Sequence, residues 1–219
     1  MTKLKIDIVS DVACPWCPIG YKRLEAALHE LAKEGLAFEV AWHPFELAPD
    51  MPPEGEEIVP HLVRKYGDDV ANVIASQERI IAAARELGLD FDGALRRRAI
   101  NTFDAHRMLA WAGEQGCQTE FALALFDAYF GKAENPADPA VLRRVAGNLS
   151  LDTDAVGAIL ASDRYADDVR KQERSARRTG IHAVPTFILG GKPLIQGAQT
   201  PATFVRVLRE VASQVTAVT

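Results

Sequence analysis

Three cysteines among 219 residues are too few for a disulfide framework, and they are unevenly spread, with Cys14 and Cys17 adjacent in a Cys-x-x-Cys and Cys117 alone. Histidine is also scarce. The five present show no paired spacing, and no second Cys-x-x-Cys accompanies the first, so a structural zinc site lacks its other half and no metal is expected. Long apolar runs are missing as well; none approaches a membrane span, and no membrane association is expected. Positive charge is not in excess. Lys and Arg total 25 against 30 Asp and Glu, a net charge of −5, which argues against a nucleic-acid partner. Two local exceptions stand out, Arg96 to Arg98 and the basic stretch from Arg170 to Arg178; the second, interleaved with Glu173, reads as a solvated helix face. No apolar signal-peptide core precedes the first strand-like segment. With Met1 as the native start, a cytoplasmic location is expected, where Cys-x-x-Cys indicates redox chemistry or metal rather than a staple.

What is there is more specific. Leu4-Lys5-Ile6-Asp7-Ile8-Val9 alternates as a strand, and Ile19, Leu24, Ala27, Leu28 and Leu31 recur at helical spacing up to Gly35. Cys14-Pro15-Trp16-Cys17 falls at the junction, so Cys14 lies near a helix N-terminus. Unpaired N–H groups and the helix dipole there favour thiolate over thiol, which is what disulfide exchange needs. The second sulfur, one helical turn on, can release an attacked partner by closing an internal disulfide.

A second strand, Ala37 to Trp42, completes a β-α-β unit and implies parallel pairing. Pro44, Pro49, Pro52 and Pro53 then break the pattern. From about Glu56 to Arg178 the periodicity is helical almost throughout. Val70, Val73, Ile74, Ile81, Ala84 and Leu87 share one face, and Phe121, Ala124, Leu125, Ala128 and Tyr129 another. Asp138-Pro139 and Asp152-Thr153 open further helices, and a last one runs from about Arg164 to Gly180. Strand character returns at Thr186 to Leu189, a Gly190-Gly191 turn leads to Lys192 to Ile195, and Thr200-Pro201 caps a final helix. The expected fold is therefore α/β, β-α-β then β-β-α around a large all-helical insertion. The domains are expected at 1–55 with 179–219, and at 56–178.

Val184-Pro185-Thr186 enters the last hairpin, where proline tolerates the first strand position. With the Cys-x-x-Cys, this order resembles a thioredoxin-like fold with an inserted helical domain, the architecture of DsbA-like thiol–disulfide oxidoreductases. Asp11 through Gly20, Trp42 through Pro49, Asn101 through Arg107, Gly180 through Phe187 and Gln196 through Gln199 are similar to its FrnE-like branch. The resemblance implies a cis bond at Pro185, beside the active-site sulfurs, with the Val184 backbone available to an extended substrate. It makes Cys14 the exposed nucleophile and Cys17 the resolving thiol, with Pro15 and Trp16 in support. Trp16 carries no charge with which to stabilise a thiolate, so a less oxidising potential than that of periplasmic DsbA is expected. Asn101, His106 and His182 are implied as further substrate contacts, although Asn101-Thr102 with Asp104 reads equally well as a helix start. Cys117 is expected to be a bystander.

Two positions depart from the family pattern. Pro18 follows the second cysteine where an aromatic is common, and Ile8 occupies the spacing of the acid that assists exchange in thioredoxin. Asp7 and Asp11 flank that position without matching its register. The implied activity is thiol–disulfide exchange on protein or small-molecule thiols and disulfides, with no bound cofactor and glutathione as a candidate co-substrate. The alternatives are a glutathione-dependent isomerase or transferase of the 2-hydroxychromene-2-carboxylate isomerase or kappa-class type, which typically has serine at the position of Cys14, and a non-enzymatic chaperone-like module.

Overall fold

Alternation along the first strand organises the centre of the molecule. In the computed structural model, which describes residues 3–190 and 192–216, β1 (Leu4–Ser10) buries Ile6 and Ile8 in the main core. Val9 belongs to a separate cluster with Phe45, Ala176 and Ile181. Helix α1 (Trp16–Ala32) leads to β2 (Phe38–Pro44), which pairs with β1 in parallel. On the other side of β1, β5 (Thr186–Leu189) runs antiparallel and is followed by antiparallel β6 (Lys192–Gln196), giving the order β2-β1-β5-β6. The chain closes with α9 (Pro201–Thr216), which packs beside α1. Gly190 enters the last turn at φ 61°, a left-handed conformation suited to glycine; its neighbour Gly191 lies outside the described residues.

β2 extends two residues past the expected Trp42, to Pro44. It is an edge strand, so a proline without N–H is tolerated there. Gln118 covers part of the exposed edge. Its Oε1 accepts from the Trp42 amide at 2.9 Å, and its Nε2 donates to the Trp42 carbonyl at 3.1 Å. One side chain thus stands in for a neighbouring strand.

The insertion comprises α2 (Ile58–Tyr66), α3 (Val70–Arg85), α4 (Phe103–Glu114), α5 (Gln118–Phe126), α6 (Pro139–Asn148), α7 (Thr153–Leu160) and α8 (Ala166–Arg178). The aspartates read as helix openers do cap: Asp138 accepts from the Ala140 amide at 2.7 Å and Asp152 from that of Asp154 at 2.8 Å. Three features depart from the expected pattern. Glu56–Glu57 (β3) pairs with Arg98–Ala99 (β4) in a short antiparallel ribbon inside the helical region. A π-helical turn, Asp127–Gly131, extends α5 and carries Tyr129 and Phe130. Val70 is 53 % exposed at the start of α3, whose buried face is Val73, Gln77, Ile80 and Ala84.

A continuous buried cluster runs from Ile6 and Leu24 through Trp42, Phe121 and Phe126 to Leu142 and Ile159. Sheet and insertion share this core, so the Cys14 turn is held between elements from both. Among the described residues, no helix is long and apolar enough to cross a membrane.

Candidate active site

The turn before α1 is tied by the backbone. The Cys14 amide donates to the Asp11 carbonyl at 3.0 Å, and the Cys17 amide to the Cys14 carbonyl at 3.1 Å. Pro15, at φ −67°, occupies the N-cap position, so Cys14 lies two residues before the first helical residue and Cys17 is the second residue of the helix. The Cys14 thiol donates to the Val184 carbonyl across 3.4 Å. The Val184–Pro185 peptide is cis. Pro185 packs on Gly20 of α1: a Cβ there would lie 3.1 Å from Pro185 Cγ and 3.2 Å from Phe187 Cζ, so glycine permits the close approach.

Cys14 and Cys17 are free thiols. Cys17 is wholly buried. Its burial, and the adjacent Cys14, push its thiol well above the ordinary range, against the opposing influence of the Ser10 hydroxyl and the Asp11 backbone. The expectation that Cys14 is the exposed sulfur needs correcting, because it is only 4 % exposed. Residues of α2 and α3 stand over the turn, and the sulfur opens into a cavity of about 580 Å³ rather than onto the outer surface. Pro15 and Trp16 line the cavity beside Cys14, with His182, Ala183 and Val184 on one side and Tyr66, Gln77, Arg97 and Tyr129 on the other. Trp16 and Tyr66 are its exposed aromatic side chains, at 39 % and 70 %. The volume falls within the range of small-molecule sites.

The remaining candidates separate. Val184 and His182 line the cavity, and Pro185 is buried behind them. Asn101 does not line it. Its amide donates to Glu46 at 3.1 Å and to the Pro49 carbonyl at 2.9 Å, while its oxygen accepts from the amide of Phe103, the first residue of α4. His106 also lies elsewhere, buried 3.4 Å from the Asp11 carboxylate. Cys117, at the start of α5, contacts the Ala112 carbonyl and does not reach the cavity. Asp7 and Asp11 are distinct too. Although burial pushes Asp7 up, Lys5 and His43 outweigh it and hold the carboxyl below its usual range. The Asp11 carboxylate is buried and accepts from the amides of Ala13 and Leu47 at 3.1 and 2.7 Å.

Asp11 and His106 border a second group of buried charges. Glu46 pairs with Arg170, which also reaches Glu173 at 3.1 Å. Burial first, and the nearby Glu173 second, push Glu46 up to about 7. The basic stretch of α8 is therefore not simply a solvated face. Arg170 stacks 3.8 Å from the Phe103 ring centroid, and Arg177 lies 4.6 Å from that of Phe45. Arg97, the middle of three consecutive arginines, is buried in the wall of the Cys14 cavity. The available signal was its setting, a basic run between Leu95 and Ala99-Ile100. Among the described residues, no three His, Cys, Asp or Glu side chains converge as a metal-ligand set.

Residues 5–209 match the family model for the DSBA-like thioredoxin domain. The chain belongs to this family. It resembles the probable DsbA oxidoreductase SCO1869 from Streptomyces coelicolor, with a TM-score of 0.88 and 31% identity over 96% of this chain and 90% of that one. YwbO of Bacillus subtilis, an uncharacterized protein, is 27% identical over 94% of this chain and 96% of its own length. The fold extends to the cytosolic disulfide reductase DsbM from Pseudomonas aeruginosa, solved with GSH, at a TM-score of 0.64 and 20% identity over 96% of this chain and 100% of that one. The thioredoxin fold with a helical insertion is thus shared across the chain's length.

Proposed function

We propose that this protein is a thiol–disulfide oxidoreductase in which Cys14 attacks and Cys17 resolves. One observation carries the reading: the Cys14 sulfur opens into the cavity, while Cys17 is sealed behind it with its thiol held protonated. The Cys14 thiolate attacks one sulfur of a substrate disulfide, forming a mixed disulfide and expelling one thiolate, which takes up a proton. Cys17 then loses its proton and attacks the Cys14 sulfur, forming Cys14–Cys17 and releasing the second thiol. Two electrons pass from protein to substrate; run backwards, the sequence oxidises a dithiol. Pro15 fixes the turn, Trp16 forms the rim, and Val184 with His182 supplies the wall against which the substrate lies.

The enclosed Cys14 favours small thiols and disulfides over folded protein surfaces. Glutathione, bound in the DsbM structure, is a candidate co-substrate of this size. A cytoplasmic setting, and a division into 1–55 with 179–219 and 56–178, belong to the same reading. Retention of cysteine at position 14 favours redox exchange over the isomerase and transferase chemistry of relatives that have serine there.

The test is trapping. Reduced Cys17→Ser, incubated with glutathione disulfide, should accumulate a mixed disulfide seen as one added glutathione by intact mass. Cys14→Ser should accumulate little, and Cys117→Ser should cycle as the unaltered protein does. Equal adducts on both active-site variants, or none on either, would contradict the assigned roles.

A further inference from the structure

Arg97 is 3 % exposed, and among the described residues no carboxylate lies within ion-pairing distance of it. Its guanidinium donates to the Ala94 carbonyl and, at 3.1 Å, to Gln77 Oε1. The third nitrogen, Nε, is buried without a partner. Beneath it lie the rings of Tyr129 and Phe130, with centroids 5.6 and 5.1 Å away. Those rings come from the π-helical turn, and the Tyr129 hydroxyl is itself fixed by donating to the Arg98 carbonyl at 2.8 Å. The result is an oriented cation without a carboxylate partner in the wall of the cavity that holds Cys14, its Nε sealed on the protein side. Burial pushes the guanidinium pKa down; Tyr129 and a Cys14 thiolate act in the opposite sense. The other fully charged side chains on the cavity wall are Lys65 and Asp68, so the cavity is locally positive in a chain of net charge −5.

A buried, unpaired charge is costly unless something meets it. A guanidinium presents a planar fork of donors that matches a carboxylate. We propose that Arg97 binds the carboxylate of a small thiol or disulfide whose sulfur reacts with Cys14. This assignment rests on the redox reading above and names the substrate class of that site: low-molecular-weight disulfides bearing a carboxylate. Arg97 holds the anionic end, and Cys14 exchanges with the sulfur. The electrons of the Cys14–Cys17 pair reduce the substrate to two carboxylate-bearing thiols, each taking one proton.

The test compares two small disulfides on the reduced full-length protein, 3,3′-dithiodipropionate, which is anionic, and 2-hydroxyethyl disulfide, which is neutral. Loss of Cys14 thiol is followed by rapid quench and mass spectrometry, and the rate ratio is normalised to that of free cysteine. The protein should prefer the carboxylate by at least about tenfold, as expected for a charge-assisted hydrogen bond. Arg97→Met should abolish that preference, and Arg97→Lys should retain part of it. The same ratio in Arg97→Met would overturn the proposal. So would equal slowing of both disulfides, which would assign Arg97 to Cys14 instead of the ligand. Failure of the unaltered protein to react with either disulfide would sink the redox reading, a distinct result. Should Arg97→Met not fold, the unaltered protein still decides. Here 3-(methylthio)propionate should protect Cys14 from iodoacetamide more strongly than its methyl ester does, and equal protection, or none, overturns the proposal.

Discussion

Two groups of buried charge flank the Cys14 turn, each with a buried polar atom lacking a hydrogen-bond partner, and they differ in where their counter-charges lie. On one side Glu46, Arg170, Glu173, Asn101, His106 and Asp11 face one another, and a cavity of only about 30 Å³ bordered by His106 lies nearby. On the other side Arg97 leans on two aromatic rings and faces about 580 Å³. Charges that meet their partners inside the protein bind its parts together. In this first group they join the 45–49 loop to α4 and α8, across the seam between the sheet and the insertion. A charge that faces an open cavity has its partner, if any, in the ligand. Desolvation is common to both regions, so burial alone does not distinguish a structural charge from a functional one; the location of the counter-charge does.

The largest expected effect lies in the paired region. Glu46→Ala leaves Asn101 without its carboxylate and Arg170 with Glu173 alone, and opens space where Glu46 is 1 % exposed. Breaking a buried pair is strongly destabilising, but Arg170 is 40 % exposed and can turn to water, which reduces the loss. A stability decrease of about 2–4 kcal/mol is expected by urea denaturation. A decrease below about 0.5 kcal/mol would show that this cluster does not hold the seam together.

Next in size is the pH dependence of the same cluster. Because Glu46 titrates near 7 in the folded protein, against the ordinary 4.5, the folded state keeps a proton that the unfolded chain releases between those values. Its contribution is therefore complete below about pH 4.5 and is lost as pH rises through about 7. Stability measured across that window should show a component falling by about 1–3 kcal/mol, and Glu46→Gln should remove it. A slope that persists in Glu46→Gln would assign it to other groups.

These two regions were unequally legible in the sequence. The first β-α-β unit, the helical insertion and the closing β-β-α follow local periodicity and caps, and Asp138, Asp152 and Thr200 mark their helix starts. The β3–β4 ribbon left no such mark, because its strands are only two residues long and lie some forty positions apart. The charge cluster was also hidden. Asp11, Glu46, His106 and Arg170 come from four separate stretches, and only tertiary packing brings them together. Arg97 presents the converse difficulty. Its neighbours in the chain, Arg96 and Arg98, are exposed, so a run of three arginines looks uniformly solvated although the middle one turns inward. The close spacing of Cys14 and Cys17 is plain in the sequence, but the enclosure of Cys14 is not, because the covering helices are remote in sequence.

The smallest expected change in stability bears most directly on the contrast, and it comes from Arg97→Met. If Arg97 were structural, its removal should be as damaging as that of Glu46. It does make two hydrogen bonds and rests on two rings, all of which methionine forfeits. Against that loss stands the desolvation of a guanidinium with no carboxylate partner, a penalty of several kcal/mol for a buried ion that methionine does not incur. Methionine is also flexible enough to fill the space above Tyr129 and Phe130, and its sulfur packs favourably on aromatic rings. The opposing terms are similar in size, so a net change within about 1 kcal/mol is expected, of either sign. Urea denaturation of Arg97→Met beside Glu46→Ala, with matching m-values, supplies the comparison. A loss above about 2 kcal/mol would place Arg97 with the structural charges and remove the asymmetry between the two sides of Cys14. A near-neutral change together with loss of carboxylate preference would mean that this arginine is retained for its ligand rather than for the fold.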